Sequence, residues 1–365
     1  MAWRNRVEVS YGSLRHNVTR VIELAAGRAV IAVVKADAYG LGLERCARIY
    51  HESGVAALAV AAISEADRVR SAVPEARVIL LGSPLPEERG GVVASGYEAC
   101  VSSLDEVQEF AHLATPRAPL AVHVNIDTGM GRWGTTPEGA KSIVHEVLSW
   151  NTLRLAGLLS HYPMADDPVV SAAQEAAMHG LLDTLPPLPT ECWLHYANSE
   201  GLVLRPPGAA NAVRCGLLLT GITPESCPDL GLRAAVRWVS SLSLVKRLPA
   251  GHGISYNRTH VLARDSITGI VPVGYADGFP IALSGRGAVL VQGRRCPILG
   301  RVTMDYCIVD LTDLPHEPAL GEPVVLFGTQ AGESIPVTEM ARLAGTIPYD
   351  ILCGLRGRCE VVGVP

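Results

Sequence analysis

The chain has 365 residues, more than one ordinary compact core holds and enough for two domains. With 48% hydrophobic and 18% charged residues it can bury a large core, and a net charge of −5 argues against a nucleic-acid-binding protein, which would carry a basic patch. Nine scattered cysteines without a CxxC pair argue against a zinc ribbon or redox dithiol and suit a reducing cytoplasm.

The opening MAWRNRVEVS lacks an apolar signal core, and no run of about 18 apolar residues follows, so neither a secretion signal nor a membrane span is expected. From residue 30 to 217, short apolar runs alternate with helix-like stretches. The runs are 30-VIAVV-34, 56-AALAVA-61, 77-RVILLG-82, 98-EACVS-102, 120-LAVHVNI-126, 155-LAGLLS-160, 193-WLHYA-197 and 212-AVRCGL-217. Most are continuous rather than alternating, as strands covered on both faces should be. Helix starts lie between them. Ser64-Glu65-Ala66-Asp67 and Ser103-Leu104-Asp105-Glu106 read as N-caps followed by an acid. Thr136-Pro137 and Asp167-Pro168 read as a cap with proline in the first turn, and Gly54 closes a helix.

Eight βα units predict a (β/α)8 barrel over residues 1–230. The alternative is a doubly wound open sheet, disfavoured because no G-x-G-x-x-G follows the first strand and the strand count is eight. After about residue 230 the runs 236-VRWVSSLSLVKRL-248, 267-ITGIVPVGY-275, 288-AVLVQG-293 and 307-CIVDL-311 are separated by Gly and Pro turns. They predict a mostly-β domain over 231–365, with a short helix near 338–345.

Barrel chemistry lies at the C-terminal ends of strands. Lys35 ends the first strand; Asp127, Gly129 and Arg132 follow the fifth; His161 follows the sixth; Asn198 and Ser199 follow the seventh; Arg214 and Gly216 sit in the eighth. An isolated lysine at a strand end usually snorkels to solvent. At a barrel mouth its amine can instead condense with an aldehyde, and pyridoxal phosphate is the aldehyde cofactor used this way. That cofactor needs phosphate donors, which Ser199, the backbone near Gly216 and Leu217, and the Tyr39 hydroxyl supply. It needs a wall for its ring, for which His161 is the candidate, and a partner for its pyridine nitrogen, for which Arg214 is the candidate. Each residue alone has an ordinary structural explanation; together, on successive strand ends, they define a site.

The stretches AVVKADAYGLG, HVNIDTGMGRWG, ANSEG, VRCGL, GHGISYNRT, VPVGYADGFP and GRVTMDYCIVDLT, in this order over essentially the whole chain, resemble the alanine racemase family. The resemblance implies a pyridoxal-phosphate barrel, a C-terminal β domain and a homodimer in which each β domain completes the partner's active site. It implies that Lys35 carries the cofactor and is the base on one face of the substrate, with Tyr256 of the partner subunit the base on the other. It further implies that Tyr39, Ser199, Gly216 and Leu217 hold the phosphate, Arg214 the pyridine nitrogen and His161 the ring. Arg132 and the backbone N–H of Met304 match the substrate-carboxylate site. Two bases on opposite faces exchange a proton without turning the substrate over. An arginine on the pyridine nitrogen disfavours a second proton there.

Three positions depart from the family pattern. Asn125 stands where many members have a carbamylated lysine, and the resemblance to Asn-bearing members implies a chloride ion in place of the lost charge, with water as the alternative. Ile281 stands where an arginine often follows GYADGFP, and Gly357 where some members have a pocket-narrowing tyrosine. The pocket is therefore expected to be wider, which leaves serine or a broader substrate range beside alanine. A barrel-type amino-acid decarboxylase fits Arg214 and Tyr256 poorly, and a cofactor carrier would lack the second domain. Supply of D-alanine in the cytoplasm is the expected role, although the residues do not separate supply from breakdown. No membrane, nucleic-acid or metal partner is expected.

Overall fold

All eight apolar runs become strands of one sheet: β1 (Ala29–Val33), β2 (Ala57–Val60), β3 (Val78–Leu80), β4 (Glu98–Val101), β5 (Leu120–Asn125), β6 (Leu153–Leu159), β7 (Trp193–His195) and β8 (Ala212–Cys215). Each pairs in parallel with its predecessor from β2 to β7, and β1 also pairs with β8, Ile31 facing Arg214. At the remaining seam, Asn211 N–H donates to Leu194 O at 3.1 Å and Arg214 N–H to Ala197 O at 3.0 Å, so the barrel nearly closes. The computed structural model describes residues 4–355 and 358–365, and Gly357 lies outside the described residues.

The helix caps follow their chemistry. Ser103 Oγ accepts from Glu106 N–H at 3.2 Å while Glu106 Oε2 accepts from Ser103 N–H at 3.2 Å, a reciprocal capping box. Thr136 and Asp167 cap helices that begin with proline. Ser64 is not a cap: the helix runs Ile63–Ala72, and Glu65 alone takes the orphan N–H groups of Ala61 and Ala62, at 2.9 and 3.3 Å.

Directly after β1 the chain makes a turn of left-handed helix. Ala36, Asp37, Ala38 and Tyr39 have φ of 53, 57, 53 and 58°, and Gly40 has φ of 81°. For L-residues this costs roughly 1–2 kcal/mol each. Polar contacts at its start offset part of that. Glu65 Oε1 accepts from Ala36 N–H at 2.6 Å, and Asp37 Oδ1 accepts from Leu43 N–H at 3.1 Å and from Arg68 at 2.5 Å.

The chain divides into two compact units. The barrel unit comprises Ser13–Ala38 and Leu43–Arg233; the β-rich unit comprises the residues up to Gly12, Tyr39–Gly42 and those from Ala234 onward. The strand Asn5–Ser10, N-terminal in sequence and on the barrel side of a division at 230/231, lies in the β-rich unit. It pairs antiparallel with Val236–Ser241 and parallel with Glu360–Val364. Its alternating burial marks a strand with one covered face, the pattern that NRVEVS already carried. The run 236–248 is two strands, Val236–Ser241 and Leu244–Leu248, which enter different sheets. The expected helix is Val337–Ala344, and a second, Pro348–Gly354, follows it. In this unit Trp238 packs edge-on against Phe279 and Phe327, and the fully buried Asp277 accepts from Arg358 Nε and Nη2 at 3.0 and 3.1 Å.

Gly40 ends the left-handed turn where a Cβ would sit 2.6 Å from Leu352 O. Gly27 has a similar φ, 87°, with nothing within 4 Å. Gly40→Ala should therefore lose about 1–3 kcal/mol in urea unfolding, clearly more than Gly27→Ala. Equal losses would show that backbone conformation alone, not the close approach, requires the glycine.

Candidate active site

The ends of the barrel strands assemble the first group of side chains. Lys35 opens the left-handed turn after β1. The loop after β5 is shaped by Asp127, whose Oδ1 accepts from the N–H groups of Gly129, Met130 and Gly131 at 2.9, 2.9 and 3.1 Å. Gly134 allows the loop to return, because a Cβ there would lie 2.7 Å from Asp127 N. Arg132, on this loop, is exposed and has no ion pair among the described residues. Asn125, at the end of β5, is buried and its carboxamide has no hydrogen-bond partner among the described residues.

His161 follows β6. Burial first, then the positive charges of Arg214, Arg132 and Lys35, push it down to about 3, so it is neutral at physiological pH. Of the three cations, Arg214 touches the ring directly, its Nη2 3.1 Å from Nδ1. Beyond β7, Asn198 caps a short helix by accepting from Gly201 N–H at 2.8 Å, which fixes the buried Ser199 at the helix start. Gly216 N–H donates to Ser199 Oγ at 3.3 Å. Leu217 begins a 3₁₀ turn, so its N–H has no partner within the turn.

Arg214 of β8 is buried. Its Nη1 donates to His195 Nδ1 at 3.0 Å and to His195 O; its Nη2 donates to Ser160 O at 2.6 Å and His161 Nδ1 at 3.1 Å. Burial lowers it to about 10, still charged at neutral pH. These contacts use four of the five guanidinium hydrogens. The Nε–H is left, without a partner among the described residues.

Behind Arg214 lies a row of buried polar groups that the sequence reading did not single out. His195 Nε2 is 2.9 Å from His123 Nδ1, and His123 Nε2 is 2.8 Å from Glu98 Oε2. Arg77 Nε and Nη2 donate to the two Glu98 oxygens at 2.8 and 3.0 Å, and the Arg77 guanidinium lies 3.8 Å over the Trp193 ring. The signal was present: each histidine interrupts an apolar run that otherwise reads as buried strand.

The remaining predicted residues lie in the β-rich unit. Tyr39, at the end of the left-handed turn, is buried with its ring 5.1 Å from that of Tyr349. Tyr256 is 69% exposed, flanked by Ser255, Asn257 and Arg258 at φ of 60, 59 and 47°. It shares a hollow of about 400 Å³ with Thr303, Tyr306 and the isoleucines 270 and 308. Met304 is exposed on the adjoining loop, and Ile281 is also exposed. No cluster of metal-ligating side chains occurs among the described residues, and none of their helices is long and apolar enough to cross a membrane.

Comparison with known proteins covers both units. The alanine racemase N-terminal domain family matches residues 9–224, and the alanine racemase C-terminal domain family matches residues 235–362. The alanine racemase of Methylacidiphilum infernorum is 34% identical over 358 residues, spanning 96% of this chain and 90% of that one. The crystal structure of alanine racemase from E. faecalis superimposes with a TM-score of 0.92 at 31% identity over 98% of both chains. That from Bartonella henselae, which holds covalently bound pyridoxal phosphate, gives 0.90 at 27% identity over 99% of both chains.

Burial alone would raise the Glu98 carboxyl, but hydrogen bonds from His123 and Arg77 outweigh it and hold the group down to about 2, against an ordinary 4.5. A folded value below the unfolded one stabilises the protein, here by on the order of 3 kcal/mol at neutral pH. The contribution is complete above about pH 4.5 and is lost as pH falls toward 2. Urea unfolding should show wild type more stable than Glu98→Gln at pH 7, with the gap narrowing steadily below pH 4.5. Parallel pH profiles for the two proteins would contradict this.

Proposed function

The chain belongs to the alanine racemase family, and on that premise we propose that it is a pyridoxal-phosphate-dependent isomerase interconverting L- and D-alanine. The observation that carries the reading is the single unpartnered Nε–H of the buried, charged Arg214, which suits a pyridine nitrogen acting as acceptor. The other predicted residues suit the same cofactor. Ser199, the N–H groups of Gly216 and Leu217, and the Tyr39 hydroxyl would hold its phosphate, Lys35 would carry it covalently, and the neutral His161 would face its ring.

Pyridoxal phosphate, when bound, supplies an electron sink that makes the α-hydrogen of an amino acid acidic. The chain's own residues do the rest. Arg132, without a carboxylate partner of its own, holds the substrate carboxylate together with the N–H of Met304. Lys35 Nζ, once the substrate amine has taken its place on the cofactor, would take or return the α-hydrogen on one face, and the hydroxyl oxygen of Tyr256 of the partner subunit would do so on the other. A homodimer with shared sites is supported by the exposure of Tyr256 beside a hollow that also exposes Tyr306 and two isoleucines. Because Arg214 stays positive, it would donate to the pyridine nitrogen and oppose a second proton there, which would limit side reactions at the cofactor. Asn125 cannot supply the negative charge that a carbamylated lysine would place beside Arg132. A chloride ion in that position is our reading of the unpartnered carboxamide. The nine free cysteines support a cytoplasmic setting, where supply of D-alanine would be the role.

The purified protein should carry a yellow chromophore that borohydride fixes to Lys35, and L-alanine in deuterated water should exchange its α-hydrogen and lose optical activity. Tyr256→Phe should keep the chromophore and lose about 10²–10⁴-fold in turnover of both enantiomers. Unchanged turnover would remove Tyr256 from the mechanism, and failure to bind the cofactor would remove the assignment altogether. A panel of L- and D-amino acids that includes serine measures how far the pocket departs from alanine.

A further inference from the structure

The buried row behind Arg214 has a direction. An imidazole carries its hydrogen on either nitrogen, so two histidines in series can transmit hydrogen bonds either way. Arg214 can only donate, and its Nη1 donates to His195 Nδ1, which must therefore be bare. The His195 hydrogen then sits on Nε2 and points at His123 Nδ1, 2.9 Å away, so that atom is bare as well. His123 in turn presents Nε2–H to Glu98 Oε2 at 2.8 Å. The reverse arrangement would bring a His195 Nδ1–H against an Arg214 N–H at the same 3.0 Å and orphan both donors in the barrel interior.

Both rings are fully buried, so water cannot repair a wrong tautomer. Gly157 of β6 makes the ring-to-ring contact possible, since a Cβ there would fall 2.3 Å from His123 Nδ1. At the far end, a carboxylate is the group that can only accept, and Arg77 holds both of its oxygens in a fork braced on Trp193.

We infer that Glu98, held by Arg77, is a positioning residue for Arg214: its carboxylate orients His123 and His195 so that Arg214 keeps its acceptors and has one N–H free to offer. Among the described residues Arg214 makes no ion pair, and the row ends on this carboxylate. Glu98 therefore acts through two imidazoles on a group it does not touch. The inference rests on the reading that Arg214 serves the pyridine nitrogen of pyridoxal phosphate, and its first test does not.

The first test is ¹⁵N-histidine NMR of the cofactor-free wild-type protein. His123 and His195 should both be Nε2–H tautomers; an Nδ1–H tautomer at His195 overturns the inference, whatever the protein binds. The second compares Glu98→Gln, whose amide can donate or accept. Its His195 signal should split between tautomers, and its dissociation constant for pyridoxal phosphate should rise about tenfold, the weight of one charge-assisted hydrogen bond. Pure Nε2–H tautomers with unchanged affinity in a folded Glu98→Gln protein would reduce Glu98 to a structural ion pair and overturn the inference. If wild type shows the expected tautomers but binds no pyridoxal phosphate, the functional reading fails and the direction of the row stands.

Discussion

A guanidinium buried in the barrel, with no carboxylate partner among the described residues, is the constraint on which the proposed site turns. Leaving such a charge unsatisfied would cost several kcal/mol, and the structure meets it with acceptors rather than with an anion. Two are backbone carbonyls, Ser160 O and His195 O, whose positions follow from the strand ends. Two are imidazole nitrogens, and these accept only if both rings are neutral. Burial and the surrounding cations keep them so, pushing His161 to about 3 and His195 well below its ordinary value. What remains is a single N–H, the one we propose a cofactor takes. Glu98 and Arg77 do not touch Arg214, yet they belong to the same hydrogen-bonded system.

Strain is concentrated where the two proposed bases sit. The turn that begins at Lys35 holds four consecutive non-glycine residues at positive φ, and Tyr256 is bracketed by three more. Such conformations persist only where neighbours over-determine them. Around Lys35 these are Glu65, which seizes the Ala36 N–H, and the Asp37–Arg68 pair. Around Tyr256, Ser255 Oγ donates to Arg301 O at 2.7 Å. The cost is local and goes into orientation: a side chain on a stiff, unusual backbone has fewer alternatives to its working position.

The eight barrel strands were legible because parallel strands covered on both faces write themselves as unbroken apolar runs, and the caps at Ser103, Thr136 and Asp167 because a short polar side chain before a helix has one dominant use. Asn5–Ser10 was missed although its alternation was plain. Its partners lie more than 200 residues away, and nothing nearby in the chain announces them. Ser64 misled because a cap motif specifies a neighbourhood and not a residue, and Glu65 did the work from one position further on. Most of the proposed site residues were named by local stretches such as VVKADAYG and VRCGL. His123, His195 and Glu98 were not, because the histidines look like interruptions of apolar runs and Glu98 like the start of one until the barrel brings them together.

The sequence by itself therefore determined the alternation of covered strands and helices, the strand ends that carry reactive side chains and the family to which these stretches belong, since all of these are written in neighbouring residues. Only the tertiary structure decided the handedness of the turn at Lys35, the membership of the first strand in the β-rich unit, and the buried row from Glu98 to Arg214. Each depends on contacts between distant parts of the chain. A positive φ in Ala36 or Ala38 has no local cause, and a histidine's tautomer is set by what faces its other nitrogen.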